Sequence, residues 1–233
     1  MHVADLHSWD VTPDEARRIQ DELRDRREPA DALGTTDISF VAGVDNAYSR
    51  AGAGATAYAV AVVLSFPELE VVETRYGSCS VTFPYVPGLL TFREAPAVID
   101  AFRQVETAPD VVLFDGQGIA HFRRMGLAAH LGVVLNLPSI GCAKSRLVGR
   151  YEELADEVGA WTPLTDRGDV VGAAIRTRPG HSPLFVSPGN KVSVPIAVEI
   201  VLACCRDDQF MPEPTRQAHR LVTAYRQQHT AGT

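Results

Sequence analysis

Two apolar runs, Phe40-Val41-Ala42-Gly43-Val44 and Val111-Val112-Leu113-Phe114, each stop at an aspartate, Asp45 and Asp115. Their apolar residues are consecutive rather than alternating, which is the pattern of strands lying deep in a sheet. Each aspartate is therefore expected at the rim of a core. Rims at the carboxyl ends of strands are where many α/β proteins bind ligands, and Gly116 and Gly118 let a substrate or an ion approach the backbone closely. Asp115-Gly116 taken alone also reads as an ordinary turn, so the two runs settle the sheet before they settle a site.

A chain of 233 residues, 45% of them hydrophobic, is long enough for one well-buried α/β domain. Cys79, Cys142, Cys204 and Cys205 lack the paired spacing of a zinc site, and two are neighbours in a helical pattern. A disulfide framework is not expected, and a reducing cytoplasm is. The N-terminus lacks the charged, apolar and small-residue order of a signal peptide, and no apolar run is long enough to cross a bilayer. A net charge of −7 argues against a general polyanion binder. Local clusters such as Arg123-Arg124 and Lys144-Ser145-Arg146, or bound metal ions, can overrule that balance.

Along the chain, Thr12-Pro13-Asp14-Glu15 supplies an N-cap, a first-turn proline and a capping-box glutamate for a helix running to Arg27, with a loop over 28–37. The strand ending at Asp45 is followed by a polar, glycine-containing stretch from Asn46 to Gly54. Tyr58–Phe66 and Val71–Val81 continue it as an antiparallel meander. Pro84-Tyr85-Val86-Pro87-Gly88 reads as a rigid loop before a helix from Thr91 to about Val105. Then come the strand ending at Asp115, a helix over Arg124–Leu135, and a short strand, Ser139–Ala143, leading to Lys144. Residues 150–196 are less regular, with strands expected at Asp169–Arg176 and Pro183–Val186. Helices follow from Pro195 to Cys205 and from about Pro214, the last carrying His219 one turn in.

Two strand-end aspartates place hard oxygen ligands a few ångströms apart, as Mg²⁺ requires when it also holds phosphate oxygens. Glu94, in a first helical turn, is explained equally by the helix dipole. His121 and His219 are candidates for proton transfer or ligation, whereas His7, His130, His181 and His229 are read as structural. Lys144 suits a phosphate as a point charge, or merely caps the sheet.

Three blocks carry a resemblance: Pro84-Tyr85-Val86-Pro87-Gly88-Leu89-Leu90-Thr91-Phe92-Arg93-Glu94, Asp115-Gly116-Gln117-Gly118-Ile119-Ala120-His121 and Ile140-Gly141-Cys142-Ala143-Lys144-Ser145-Arg146-Leu147. With Val41-Ala42-Gly43-Val44-Asp45 and Pro212-Glu213-Pro214-Thr215-Arg216, they resemble the signature blocks of endonuclease V, in the same order. The likeness runs from Leu6 to about His219. It implies a single ribonuclease-H-like domain over residues 1–233, with a mixed sheet of an antiparallel three-strand meander and parallel strands flanked by helices. The N-terminal helix within residues 1–30 packs on the core, and about 220–233 form a frayed tail.

The resemblance further implies a Mg²⁺-dependent repair endonuclease, Mn²⁺ substituting. Such an enzyme recognises deoxyinosine in DNA and cuts the second phosphodiester bond on its 3′ side, leaving 3′-hydroxyl and 5′-phosphate. It carries metal binding to Asp45, Asp115, Glu94 and His219, phosphate contact to Lys144, and a less defined role to His121. Tyr85 is the wedge that replaces a flipped base, held between prolines that include Pro87. Gly88, Gly116 and Gly118 present backbone to that base. Phe122, Cys142 and Asn190 depart from the family pattern, and Phe122 and Asn190 put loop geometry near the site, and hence substrate preference, in question. The alternatives are an endoribonuclease acting on inosine in RNA and a catalytically silent nucleic-acid-binding protein. A monomer is the default, with no membrane partner.

Overall fold

The computed structural model describes residues 1, 3–28, 34–49, 54–206 and 209–230. Helix α1, Pro13–Arg24, opens with the expected capping box, in which the Thr12 side chain and Glu15 satisfy each other's backbone N–H groups. It ends at Arg24, short of Arg27. Three strands follow: β1 (Phe40–Tyr48), β2 (Thr56–Ser65) and β3 (Val71–Ser80). Next come α2 (Thr91–Arg103), β4 (Val111–Asp115), α3 (Leu127–Leu135) and β5 (Ser139–Ala143). The last part holds β6 (Trp161–Asp166), β7 (Asp169–Ile175), β8 (Leu184–Pro188), α4 (Val194–Ala203) and α5 (Glu213–Thr230).

All eight strands form one sheet in the order β3-β2-β1-β4-β5-β8-β7-β6. The meander β1-β2-β3 is antiparallel, β1-β4 and β4-β5 are parallel, and β5-β8-β7-β6 is antiparallel. This is the mixed sheet expected from the sequence. Alternate residues of the central strands enter separate cores. Val41, Leu113 and Ile140 share one with residues of α4 and α5, while Ala42, Val44, Val112 and Phe114 share the other with residues of α2 and α3. Both faces are covered, which is why these strands read as unbroken apolar runs. The helix α1 buries Ala16 and Leu23 against the cores around Phe92 and Met125.

Several expectations are corrected. β1 does not stop at Asp45 but runs on to Tyr48, because Asn46, Ala47 and Tyr48 stay paired with β2. Only its parallel pairing with β4 ends at Val44. The strand β6 was not expected from the sequence. It is an edge strand whose polar Thr162, Thr165 and Asp166 hide the apolar alternation. The helix read from Arg124 starts at Leu127, since Arg124 itself has a left-handed φ of 57° that breaks a helix. Residues 220–230 are helical, not frayed: Val222 is buried and Tyr225 stacks on Tyr76 of β3. The loops read over 28–37 and 46–54, and the tail at 231–233, lie partly or wholly outside the described residues. Within the first, Thr35–Asp37 form a 3₁₀ turn.

Candidate active site

The register of β1 on β4 builds the site. Val44 pairs with Phe114, so one residue further along two parallel neighbours stand Asp45 and Asp115, both on the face of Val41 and Leu113 that α5 covers. The helix α5 brings His219 to that face, and its Nδ1 lies 2.8 Å from Asp45 Oδ2. Asp45, Asp115 and His219 each offer a donor atom, and the three atoms lie within 4.8 Å of one another. Among the described residues this is the sole such grouping of His, Cys and acidic side chains. Lys144, the first residue after β5, places its Nζ 2.6 Å from Asp115 Oδ2.

Glu94 approaches from the first turn of α2, on the opposite core. It is not one of the three grouped donors. The Tyr48 hydroxyl donates to its Oε1 at 3.1 Å, and the residue is only 8% exposed. Burial pushes its carboxyl up to about 8, and the negative charges of Asp45 and Asp115 push in the same direction. Burial likewise raises Asp45, with Asp115 adding to the effect and the His219 hydrogen bond opposing it. Tyr48, whose phenol is raised by burial and by Glu94, lies beyond Asn46, whose turn chemistry hides in the sequence the continued pairing of β1 with β2. Extending its period-two alternation from Val44 through Asn46 identifies Tyr48 as a residue of the α2-facing side.

Beside the acidic group lies a pocket of about 440 Å³, large enough for a purine base. Tyr85, Pro87, Gly88, Asp115, Gly116, Gln117, His121, Gly126 and Lys144 are among its walls. Tyr85 is 72% exposed at the rim. Gly88 has a φ of 79°, a turn conformation that disfavours side chains. Gly118 is not a wall residue: it is buried, donates its N–H to Ser187 Oγ at 2.7 Å, and sits so near the Pro188 carbonyl that a Cβ would lie 2.1 Å from its oxygen. Its glycine is explained by packing against β8, which the sequence spacing did not distinguish from ligand approach.

His121 is buried, and its imidazole is lowered to about 4, chiefly by burial and then by Arg123. It is neutral at physiological pH. Nδ1 accepts the Arg123 N–H at 3.3 Å, so the proton sits on Nε2. The departures from the family pattern separate in space. Phe122 is 41% exposed beside the Gly88 turn. Cys142 is core. Asn190 is a buried brace: Oδ1 accepts the Glu28 N–H at 2.9 Å and Nδ2 donates to the Gly132 carbonyl at 3.2 Å. The histidines read as structural include His130, fully buried with Nε2 2.7 Å from that of His7.

The endonuclease V family model matches residues 21–220. Endonuclease V of Trichormus variabilis is 48% identical over 96% of this chain and 99% of its own, and that of Roseiflexus sp. RS-1 is 51% identical over 92% and 94%. Among solved structures, the Bacillus subtilis endonuclease V superposes with a TM-score of 0.95 at 32% identity, each chain fully covered. Ciona intestinalis endonuclease V, bound to a 24-mer DNA containing an inosine followed by a ribo-adenosine, superposes with a TM-score of 0.80 at 28% identity over 93% and 98% of the two chains. The sheet that aligns two aspartates, the histidine that α5 delivers to them and this whole-length likeness together make the chain a member of the endonuclease V family.

Proposed function

We propose that this protein is a Mg²⁺-dependent endonuclease that recognises deoxyinosine in DNA and hydrolyses the second phosphodiester bond on its 3′ side. The reading rests on one observation above the rest: an acidic and imidazole group of three donors opens beside a base-sized pocket and a lysine. The donor set fits a hard divalent cation. Three carboxyl groups converge here beside Lys144, and burial together with the charges of Asp45 and Asp115 pushes the Glu94 carboxyl up to about 8, a strain that a bound cation relieves. Asp45, Asp115 and His219 would hold it, and Glu94 would join them once ionised. Mg²⁺, or Mn²⁺ in its place, supplies Lewis acidity and neutralises phosphate charge.

The chain's own groups do the rest. Tyr85, exposed between Pro84 and Pro87, fills the gap left in the stack, and the prolines limit the entropy it loses. Gly88 and Gly116 leave room for the flipped base, and the neutral His121 offers its Nε2 proton to an acceptor in the pocket. Lys144 leaves Asp115 to hold a phosphate oxygen and stabilises charge developing at phosphorus. The products carry 3′-hydroxyl and 5′-phosphate ends. No described helix is long and apolar enough to cross a membrane. Cys79, Cys142, Cys204 and Cys205 are free thiols, which suits a reducing cytoplasm, and the working unit is a monomeric single domain.

A second reading, cleavage at inosine in RNA, is favoured by the ribo-adenosine that follows inosine in the Ciona relative's ligand. End-labelled duplexes with one deoxyinosine, one deoxyuridine or no lesion, and inosine-containing RNA, each with Mg²⁺ or EDTA, separate these readings for wild type and Asp115→Ala. A Mg²⁺-dependent nick one nucleotide beyond deoxyinosine, lost in the variant, is expected. Cutting of RNA alone transfers the activity to the second reading, and binding without any cut leaves a silent binder. Cutting by Asp115→Ala removes the metal assignment.

A further inference from the structure

The base pocket has two facing walls that are far apart in the chain: the turn at Gly88 that follows Tyr85, and the segment Met125-Gly126 that leads into α3. One side chain from outside the catalytic group joins them. Gln20, on α1, is fully buried, and its Nε2 donates to the Gly88 carbonyl and to the Met125 carbonyl, each at 3.0 Å. Its Oε1 accepts from Arg123 Nε at 2.6 Å. Arg123 Nη2 in turn reaches the Gly88 carbonyl at 3.3 Å. Two carbonyls on one side and a guanidinium on the other admit only this orientation of the amide. Both amide hydrogens and the oxygen are therefore committed.

We infer that Gln20 is a positioning residue that sets the width of the base pocket by strapping its two walls to a single nitrogen, with Arg123 locking the strap. This inference rests on the pocket being the base site described above. The physical argument has three steps. A buried amide with all its hydrogen bonds made is rigid and costly to disrupt. Both carbonyls it fixes belong to residues in or next to the walls, so their separation follows from the reach of one Nε2. A pocket whose walls are held this way loses no entropy in closing on a base, whereas a loose one pays that cost when it binds. Helix α1 thus contributes to recognition without touching substrate. The spacing between Gln20 and its carbonyl partners, 68 and 105 residues, kept this role out of the sequence.

Gln20→Leu keeps the volume and removes the strap. Because it leaves the Met125 carbonyl and Arg123 Nε without their Gln20 partner, the Gly88 carbonyl keeping Arg123 Nη2, it also destabilises the fold, so Val201→Ala, a core truncation in α4 remote from the pocket, serves as the control for lost stability. Single-turnover cleavage of a deoxyinosine duplex, titrated with protein, gives a half-saturating concentration and a plateau rate. Anisotropy with lesion-free duplex gives non-specific binding. For Gln20→Leu the half-saturating concentration should rise at least tenfold while the plateau falls less than threefold and lesion-free binding is unchanged. Val201→Ala should lower Tm without moving any of the three. Arg123→Lys should show an intermediate rise, since it keeps the charge but not the fork. Wild-type titration parameters in Gln20→Leu overturn the inference, as does an equal loss of lesion-specific and lesion-free binding, or a matching change in Val201→Ala. If wild type itself fails to cut or bind the deoxyinosine duplex better than the lesion-free one, the failure belongs to the functional reading instead.

Discussion

Replacing Glu94 with glutamine should make the metal-free protein more stable and inactive, and the gain should grow with pH. The carboxyl is 8% exposed and is displaced from an ordinary 4.5 to about 8. The folded state therefore holds a proton that the unfolded chain releases above pH 4.5, so stability is greatest below that pH and falls as pH rises to 8. At about 1.4 kcal/mol per pH unit, the full deficit above pH 8 is about 5 kcal/mol, and at pH 7 about 3 kcal/mol. Glutamine matches the protonated acid in shape, still accepts from Tyr48 and never ionises. For a chain of this length, roughly 2–4 °C per kcal/mol converts the pH 7 gain to roughly 6–12 °C in Tm. Thermal and urea unfolding in EDTA at pH 5, 7 and 9 measure it. Saturating Mg²⁺ should close or reverse the gap, because a ligand that binds the ionised site stabilises wild type more. A variant no more stable than wild type at pH 9, or a gain equal at pH 5 and 9, would refute the argument that burial and like charge strain this carboxylate.

Other consequences concern the frame and the rim. Gly43 on β1 lies against α5 so closely that a Cβ would come within 2.0 Å of the Pro214 carbonyl oxygen. Gly43→Ala should therefore push the start of α5 away and move His219 from Asp45. Unfolding should show a loss of about 2 kcal/mol or more, and isothermal titration should show Mn²⁺ affinity falling further than in an equally destabilised core variant. Tyr85→Ala should leave Tm within about 1 °C, since an exposed side chain contributes little to folding. Its cleavage of a deoxyinosine duplex should drop at least tenfold more than its cleavage of a single strand, where no vacated stack needs filling. Equal losses on both substrates would remove the wedge role.

Sequence reading reached the central strands because their physics is local: burial on both faces leaves unbroken apolar runs, and these were visible at Val41–Val44 and Val111–Phe114. It also reached Asp45 and Asp115 as neighbours, since two strand ends with rim carboxylates invite the comparison. It missed β6, whose polar residues hide its period, and it cut β1 short because Asn46 looks like turn chemistry while tertiary pairing with β2 overrides that preference. The left-handed Arg124, tied by its guanidinium to Asp166 at 2.7 Å, postponed a helix that composition alone would have started there. Gly118 and Gly116 were indistinguishable in the chain, yet one packs on β8 and the other lines the pocket.

By itself, then, the chain determined the covered mixed sheet, the capping of α1, the proline-held Tyr85 loop and the blocks that mark its family, because each is written in neighbouring residues. Only the tertiary structure decided which face each carboxylate takes. The β1-β4 register turns Asp45 and Asp115 toward α5 and His219, while Glu94 enters from the α2 side under Tyr48. It alone decided that Gln20 spans the pocket walls. Such contacts join segments tens to more than a hundred residues apart, and their geometry is fixed by the sum of strand register, helix docking and close backbone approach, none of which any short stretch of sequence records.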